Sequence, residues 1–495
     1  MSSLEKYFQP FRENTVGYNQ TFASPFGEKR IIYADWIASG RLYTPIEKTI
    51  LEKFGPFVGN THSESSVTGT TMTIAYHHAH DIIKKHCNAG PDDVIITAGS
   101  GMTALINKFQ RILGLKVPEQ LKEYLNLPEE LRPVVFVTHM EHHSNHTSWL
   151  ETIADVIIIS PDKDGLVDIN DFELQLEKYR NRKLKIGAFT ACSNVTGIST
   201  PFHKLAKMMH ENDGFCFIDY ACSAPYVRID MHPDDPLEKL DAVFFSPHKF
   251  LGGPGTPGVL IFDSRLYHNR VPDNPGGGTV DWTNPWGQHK FRNNIEARED
   301  GGTPAFLQTI KAALCIQLKE QMGIDNMKKR ENELVKIGFE ELKKIDGLHL
   351  LAENIQERIG AFSFYVDNIH YNLIVKLLND RFGIQVRGGC SCAGTYGHYL
   401  LHLDRLKSKE IMEKIDLGDQ SDRPGWVRMS IHPTTTNDDL YFITDAIKDI
   451  VKNISVYEKD FKYSSSKNEF FNIKANGEET DIKYWFNFLG DEVNQ

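Results

Sequence analysis

In AVFFSPHKFLGGPGTPGVLIF, residues 242–262, an apolar strand-like run ends in Ser246-Pro247-His248-Lys249, and a glycine- and proline-rich turn leads into a second apolar run. An amine placed there, facing bare backbone that permits close approach, could form a Schiff base with a bound carbonyl compound. Upstream, GFCFIDYACSAPY puts Asp219 at the end of another apolar run, where α/β sheets bind ligands. A carboxylate at that place can keep a heterocyclic ring nitrogen protonated. A third segment, VIITAGSGMTALINKF (94–109), reads as a strand, then Gly99-Ser100-Gly101-Met102-Thr103, then a helix. Open N–H groups at such a helix start make an anion site suited to a phosphate. The spaced third glycine of a dinucleotide fingerprint is missing. In VVFVTHMEHHSNHTSWLE the pairs His139/His143 and His142/His146 have the i, i+4 spacing of a helical metal pair. No carboxylate or cysteine spacing accompanies them, so no metal is expected, and His142 could instead lie flat over an aromatic ring.

Such residues act together only if a scaffold gathers distant strand ends. Residues 94–260 alternate short β-type runs (VIIT, VVFVTH, VIIIS, KIGAFTA, GFCFID, AVFFS and GVLIF) with amphipathic stretches. This rhythm predicts an α/β fold: a mostly parallel sheet covered on both faces. The large unit is expected over 31–305, after a leading segment 1–30 that packs with the smaller unit. From about 305 come two helical patterns, then strand GAFSFYV, helix NLIVKLLNDRF, strands IQVR and WVRMSIHP, and helix NDDLYFITDAIKDIVKNI. That predicts a smaller α+β unit over 306–455, followed by a peripheral tail, 456–495. Two charged stretches punctuated by Pro or Gly, 113–132 and 406–426, read as helical surface insertions.

The 495 residues exceed one ordinary domain. With 40% hydrophobic, 11% aromatic and 24% charged residues, the chain can bury a substantial core, which excludes disordered and collagen-like classes. Its 55 basic and 66 acidic residues leave a net charge of −11, which argues against nucleic acid or an anionic membrane as partner and for a small-molecule substrate. The first twenty residues lack the apolar stretch of a secretory signal, and no run approaches the roughly 18 apolar residues of a membrane span. Seven scattered cysteines, of which only Cys390 and Cys392 are close neighbours, suit a reducing cytoplasm rather than a disulfide framework.

Taken in order, MEHHSNHTSW, ACSNVTGIS, IDYACSAPYVRIDM, SPHKFLGGPGTPGVL, GGTP and VRGGCSCAG resemble the class V, fold-type I pyridoxal-phosphate enzymes, most closely the cysteine desulfurase and selenocysteine lyase group. The likeness covers roughly residues 30–455. It implies pyridoxal 5′-phosphate as cofactor, a homodimer, an amino-acid substrate and, for a desulfurase, a sulfur-acceptor protein. Position by position, Lys249 resembles the Schiff-base lysine, Asp219 the partner of the pyridine nitrogen and His142 the ring-stacking imidazole. Gly101, Met102, Thr103, Ser246 and His248 match the phosphate side, and Thr303 in GGTP the residue that reaches the neighbouring subunit's cofactor. Asn194 is similar to the asparagine near cofactor and substrate, His62 to a substrate-side histidine, and Arg428 to the arginine that grips the substrate carboxylate. Cys392 matches the nucleophile that leaves a persulfide on the enzyme and releases alanine.

Two departures stand out. Cys222 occupies the place of a glutamine near the cofactor's phenolic oxygen, and Cys390-Ser391 replace the residues before the nucleophile, so a Cys-x-Cys pair could share the sulfur or act as a redox couple. The alternatives are a class V aminotransferase, epimerase or lyase that needs no cysteine, a scaffold without chemistry, and a metal-dependent hydrolase built on the histidine cluster.

Overall fold

The computed structural model describes residues 2–61, 64–474 and 482–486; His62 lies outside them. Its centre is a seven-stranded sheet made of β1 (Asp93–Ala98), β2 (Val134–Thr138), β3 (Asp155–Ile159), β4 (Lys185–Thr190), β5 (Phe215–Asp219), β6 (Ala242–Phe245) and β7 (Gly258–Asp263). The spatial order is β1-β7-β6-β5-β4-β2-β3. Strands β2 to β6 pair in parallel, and β7 runs antiparallel to its neighbours β1 and β6. The fold is the α/β class expected, and each apolar run named above forms one strand.

Both faces of this sheet are buried. In β2, Val134 and Phe136 enter one hydrophobic core while Val135 and Val137 enter another, and β6 sorts Val243 and Phe245 from Ala242 and Phe244 in the same way. A two-residue period sends neighbours to opposite faces, so a strand covered on both sides reads as an unbroken apolar run. Each fully buried Val or Phe contributes about 1.5–3 kcal/mol. All strands except β7 end at the same edge, so the turns after β1, β2, β4, β5 and β6 open onto one place, as parallel sheets require of their ligand sites.

A second, antiparallel sheet stands beside that edge. It contains β8 (Leu348–Leu350), β9 (Ala361–Val366), β10 (Arg387–Gly389) and β11 (Trp426–Ser430), in the order β8-β9-β11-β10. The long helices expected after 305 are Phe306–Met322 and Ile324–Leu342, parted at Gly323, whose φ of 74° interrupts the helix. The second of them and the helix Asn437–Tyr457 cover the sheet through Leu334, Phe339, Leu440, Ile443 and Ile447. Early residues join this unit, because Ile32 and Tyr33 pair with Ile384 and Gln385.

The two insertions differ. Residues 405–416 form a helix, as expected, but 113–132 holds only the short turns Glu119–Lys122 and Glu129–Leu131. Pro118 and Pro128 each cut the chain there, and Leu121 and Tyr124, 53% and 78% exposed, find no surface to pack on. Further on, β12 (Phe461–Ser464) and β13 (Glu469–Asn472) pair as an antiparallel hairpin. No helix among the described residues is long and apolar enough to cross a membrane.

Candidate active site

At the carboxyl edge of the large sheet lies a cavity of about 960 Å³, lined by Gly101, Met102, Thr103, His142, Asn194, Asp219, Cys222, Ser246, His248, Lys249, Cys392 and Arg428. Of the residues singled out in the sequence, His62 lies outside the described residues and Thr303 is exposed and does not line this cavity.

Lys249 closes a single 3₁₀ turn, Pro247–Lys249, that follows β6. Burial pulls its ammonium below the usual lysine range, and the nearby charges of Arg428 and Arg387 add to this, while Cys222 and Asp219 oppose it. Asp219 ends β5; burial raises its carboxyl to about 6, against the Ala221 N–H it accepts at 2.8 Å and the charge of Lys249. The two groups thus soften each other's burial penalty without touching. His142 caps the helix α1 (His143–Leu150), its Nδ1 accepting the Ser144 N–H at 3.1 Å. That bond places the proton of the neutral ring on Nε2. Burial, with the charge of Lys249 next, brings His142 down to about 3, so the imidazole is neutral across the physiological range.

The helix α2 (Met102–Ile112) points its start at the cavity with no side-chain cap. Ser246 Oγ accepts the Met102 N–H at 2.9 Å, tying the end of β6 to that helix start. Gly99 makes the approach possible: its φ is 59°, and a Cβ there would lie 2.5 Å from that of Ala104.

The opposite wall comes from the second sheet. Arg428, on β11 and 2% exposed, donates from Nη1 to Asn194 O at 3.0 Å and from Nη2 to Asp35 Oδ1 at 2.6 Å. Its Nε and Asn194 Oδ1 are buried without a hydrogen-bond partner. Arg428→Lys keeps the charge and loses the planar fork. If Arg428 grips the substrate carboxylate, as the sequence resemblance implies, the expected result is a KM for an amino-acid substrate raised by about 10- to 100-fold with kcat less affected, measured by steady-state kinetics; an unchanged KM would remove Arg428 from that role.

Cys392 follows β10 on a loop held in an unfavourable conformation: Ser391 and Cys392 have φ of 51° and 58°, a cost of about 1–3 kcal/mol each. The loop stays there because Asn194 Nδ2 donates to Ser391 O at 2.6 Å, His143 N donates to Cys392 O at 2.8 Å and Gly394 N donates to His143 Nε2 at 2.9 Å. His146 Nδ1 lies 3.1 Å from Thr395 Oγ1. Two of the clustered histidines therefore brace the cysteine loop. The helix begins only at His143, so His139 is not on it to pair with His143, and no group of three or more metal-ligating side chains converges among the described residues. Cys222 Sγ lies 3.6 Å from Ser193 O.

The family model for class-V aminotransferases matches residues 32–442. The chain belongs to this family. Class-V aminotransferase family members work with pyridoxal phosphate. Among curated relatives, a probable cysteine desulfurase of Halalkalibacterium halodurans is 27% identical over 370 residues, 73% of this chain and 84% of the relative. One of Staphylococcus epidermidis is 28% identical over 370 residues, 74% of this chain and 84% of the relative. Among solved structures, a cysteine desulfurase from Thermococcus onnurineus NA1 superposes with a TM-score of 0.70 at 20% identity, over 89% of this chain and 97% of that one. The cysteine desulfurase CsdA of Escherichia coli does so at 0.68 and 20%, over 90% and 98%. These superpositions establish a shared fold.

Within this class-V aminotransferase site, two residues were not singled out from sequence. Asp35 pairs with Arg428 from 393 positions away, with no local signal. Arg387, quoted above only as part of a motif, lines the cavity and donates from Nη2 to Cys392 Sγ at 3.8 Å.

Proposed function

We propose that this protein is a pyridoxal-phosphate-dependent cysteine desulfurase that removes sulfur, or selenium, from an amino acid such as L-cysteine and holds it as a persulfide on Cys392. The observation that carries this reading is a cysteine thiol in reach of an arginine donor, lining the same cavity as Lys249 and Arg428. The names of the curated relatives support it.

The residues present suit the cofactor. The uncapped start of α2, with Gly101, Met102, Thr103, Ser246 and His248 around it, matches a phosphate. Asn194 Oδ1, buried and unpartnered, awaits a donor. When bound, the cofactor supplies an electron sink that lets bonds at an amino-acid α-carbon break. Asp219 would hold the proton of the ring nitrogen, His142 would lie against the ring face, and Cys222 and Asn194 would stand on the ring-oxygen side. Arg428 fixes the substrate carboxylate. Lys249, its pKa lowered by burial, is suited to carry a proton between Nζ and the substrate α-carbon. Cys392 Sγ takes the substrate's sulfur as its bond to Cβ breaks and an S–S bond forms, so that cysteine and the enzyme thiol become alanine and the enzyme persulfide.

Further parts of the reading are a large unit within 31–305 and a smaller one, 306–455, which takes up the strand Ile32–Tyr33, a homodimer in which Thr303 reaches the neighbouring cofactor, a cytoplasmic location and a downstream sulfur acceptor. A single-turnover mixture of the cofactor-loaded enzyme with L-cysteine and no reductant is expected to yield one alanine per chain, with one added sulfur atom on the peptide carrying Cys392 by mass spectrometry. Alanine without sulfur on that peptide would defeat the proposal.

A further inference from the structure

A second cavity, of about 640 Å³, adjoins the first at the cysteine loop, and Arg387, Ser391 and Cys392 line both. Its outer wall is the hairpin β12–β13, which lies beyond residue 442, where the family match ends. The hairpin is firmly seated on the helix α3 (Tyr371–Leu377): Asn372 Nδ2 donates to Asn468 O at 2.5 Å, and Asn468 Nδ2 donates to Tyr371 Oη at 2.7 Å. Tyr463, Phe470 and His370 pack their rings together beneath it, with centroids 4.8–5.3 Å apart. Gln420 N and Nε2 bind Ser465 O and Ser466 O at 3.0 and 2.8 Å, which joins the hairpin to the end of the 406–426 insertion. The wall is thus a built part of the site.

The charge of this cavity is one-sided. Arg387, Arg423 and Lys467 line it and make no ion pair among the described residues, Lys376 is matched by Asp380 at 3.2 Å, and Glu469 is the one carboxylate on the wall. The volume is that of a small-molecule site, and an unpaired cationic lining selects anions. Cys392, in its left-handed conformation between the two cavities, is the one group that could receive sulfur on one side and present it on the other.

We propose that this second cavity is an acceptor chamber, in which a small thiol bearing an additional negative charge takes the sulfur held on Cys392. The inference rests on the desulfurase reading above. The acceptor's thiolate attacks the outer sulfur of the persulfide; a new S–S bond forms on the acceptor as the bond to Cys392 Sγ breaks. Cys392 leaves as the thiolate, the outer sulfur keeps its proton, and one S–S bond replaces another with no outside oxidant or reductant. Arg387, beside Sγ, steadies the departing thiolate.

The test uses the full-length, cofactor-loaded enzyme, charged with L-cysteine and freed of excess substrate. Mercaptosuccinate, 2-mercaptoethanol and cysteamine are compared as sulfur acceptors at equal thiolate concentration. Mercaptosuccinate is expected to discharge Cys392 about tenfold faster than the neutral thiol, with cysteamine slowest. Lys467→Glu, at an exposed position, is expected to shrink that preference several-fold, and Lys467→Glu with Arg423→Glu to abolish it. Equal rates for the three thiols on a properly charged enzyme, or a preference untouched by both variants, would overturn the acceptor chamber and leave the desulfurase reading standing. Failure to load any sulfur on Cys392 would sink that reading, and the chamber with it.

Discussion

The Lys249→Ala variant is expected to lose at least about 10⁴-fold in the rate of alanine formation from L-cysteine, while keeping its fold. On the proposed reading two separate functions would vanish with one amine: the covalent seat for a carbonyl cofactor and the group that carries a proton to the α-carbon. The loss is not one of stability. Burial lowers the pKa of Lys249 in the folded chain, so the unfolded chain binds its proton more readily, and the charged side chain opposes folding at neutral pH. Removing it is therefore expected to leave the melting temperature of the apoprotein unchanged or raised. Two measurements check this: turnover, and borohydride reduction followed by peptide mapping, which should fix cofactor to the peptide containing position 249 in the parent and nowhere in the variant. Cofactor fixed elsewhere in the variant, or turnover within tenfold of the parent, would refute the assignment.

Cys392→Ala is expected to reduce sulfur transfer to any acceptor by about 10³-fold or more. The side chain's one hydrogen bond among the described residues is the 3.8 Å approach of Arg387 Nη2, and alanine meets the same φ of 58° as cysteine, so little stability is at stake. Cys390→Ala separates the two sulfurs of the Cys-x-Cys pair: it should cost less than about tenfold, because Cys390 lines the second cavity but not the first. Undiminished sulfur transfer by the Cys392 variant would instead favour a class-V reaction without a cysteine nucleophile.

Much of the architecture was legible in the chain because its signals are local. Seven apolar runs become seven strands, since a doubly covered strand must be apolar throughout. The lysine turn, the carboxylate at a strand end and the glycine turn before a helix are each complete within about a dozen residues, and their placement at one edge follows from parallel pairing. The charged composition of 113–132 predicts helix, but Pro118 and Pro128 limit it to a four-residue helix and one 3₁₀ turn. In the histidine cluster, i, i+4 spacing means something only on a helix, and the helix starts one residue too late for His142 and four too late for His139.

By itself, then, the sequence determined the α/β sheet, the family and many of the side chains that meet in the first cavity, because hydrophobic period, turn chemistry and ordered motifs are written over short distances. Tertiary structure alone decided that Asp35 holds Arg428, that Asn194 and His143 clamp the cysteine loop, and that a hairpin near residue 465 walls a second, cationic cavity beside Cys392. Such contacts join positions tens to hundreds of residues apart, and the side chains that make them carry no periodic or compositional mark. They exist only once the core has closed and brought those surfaces together.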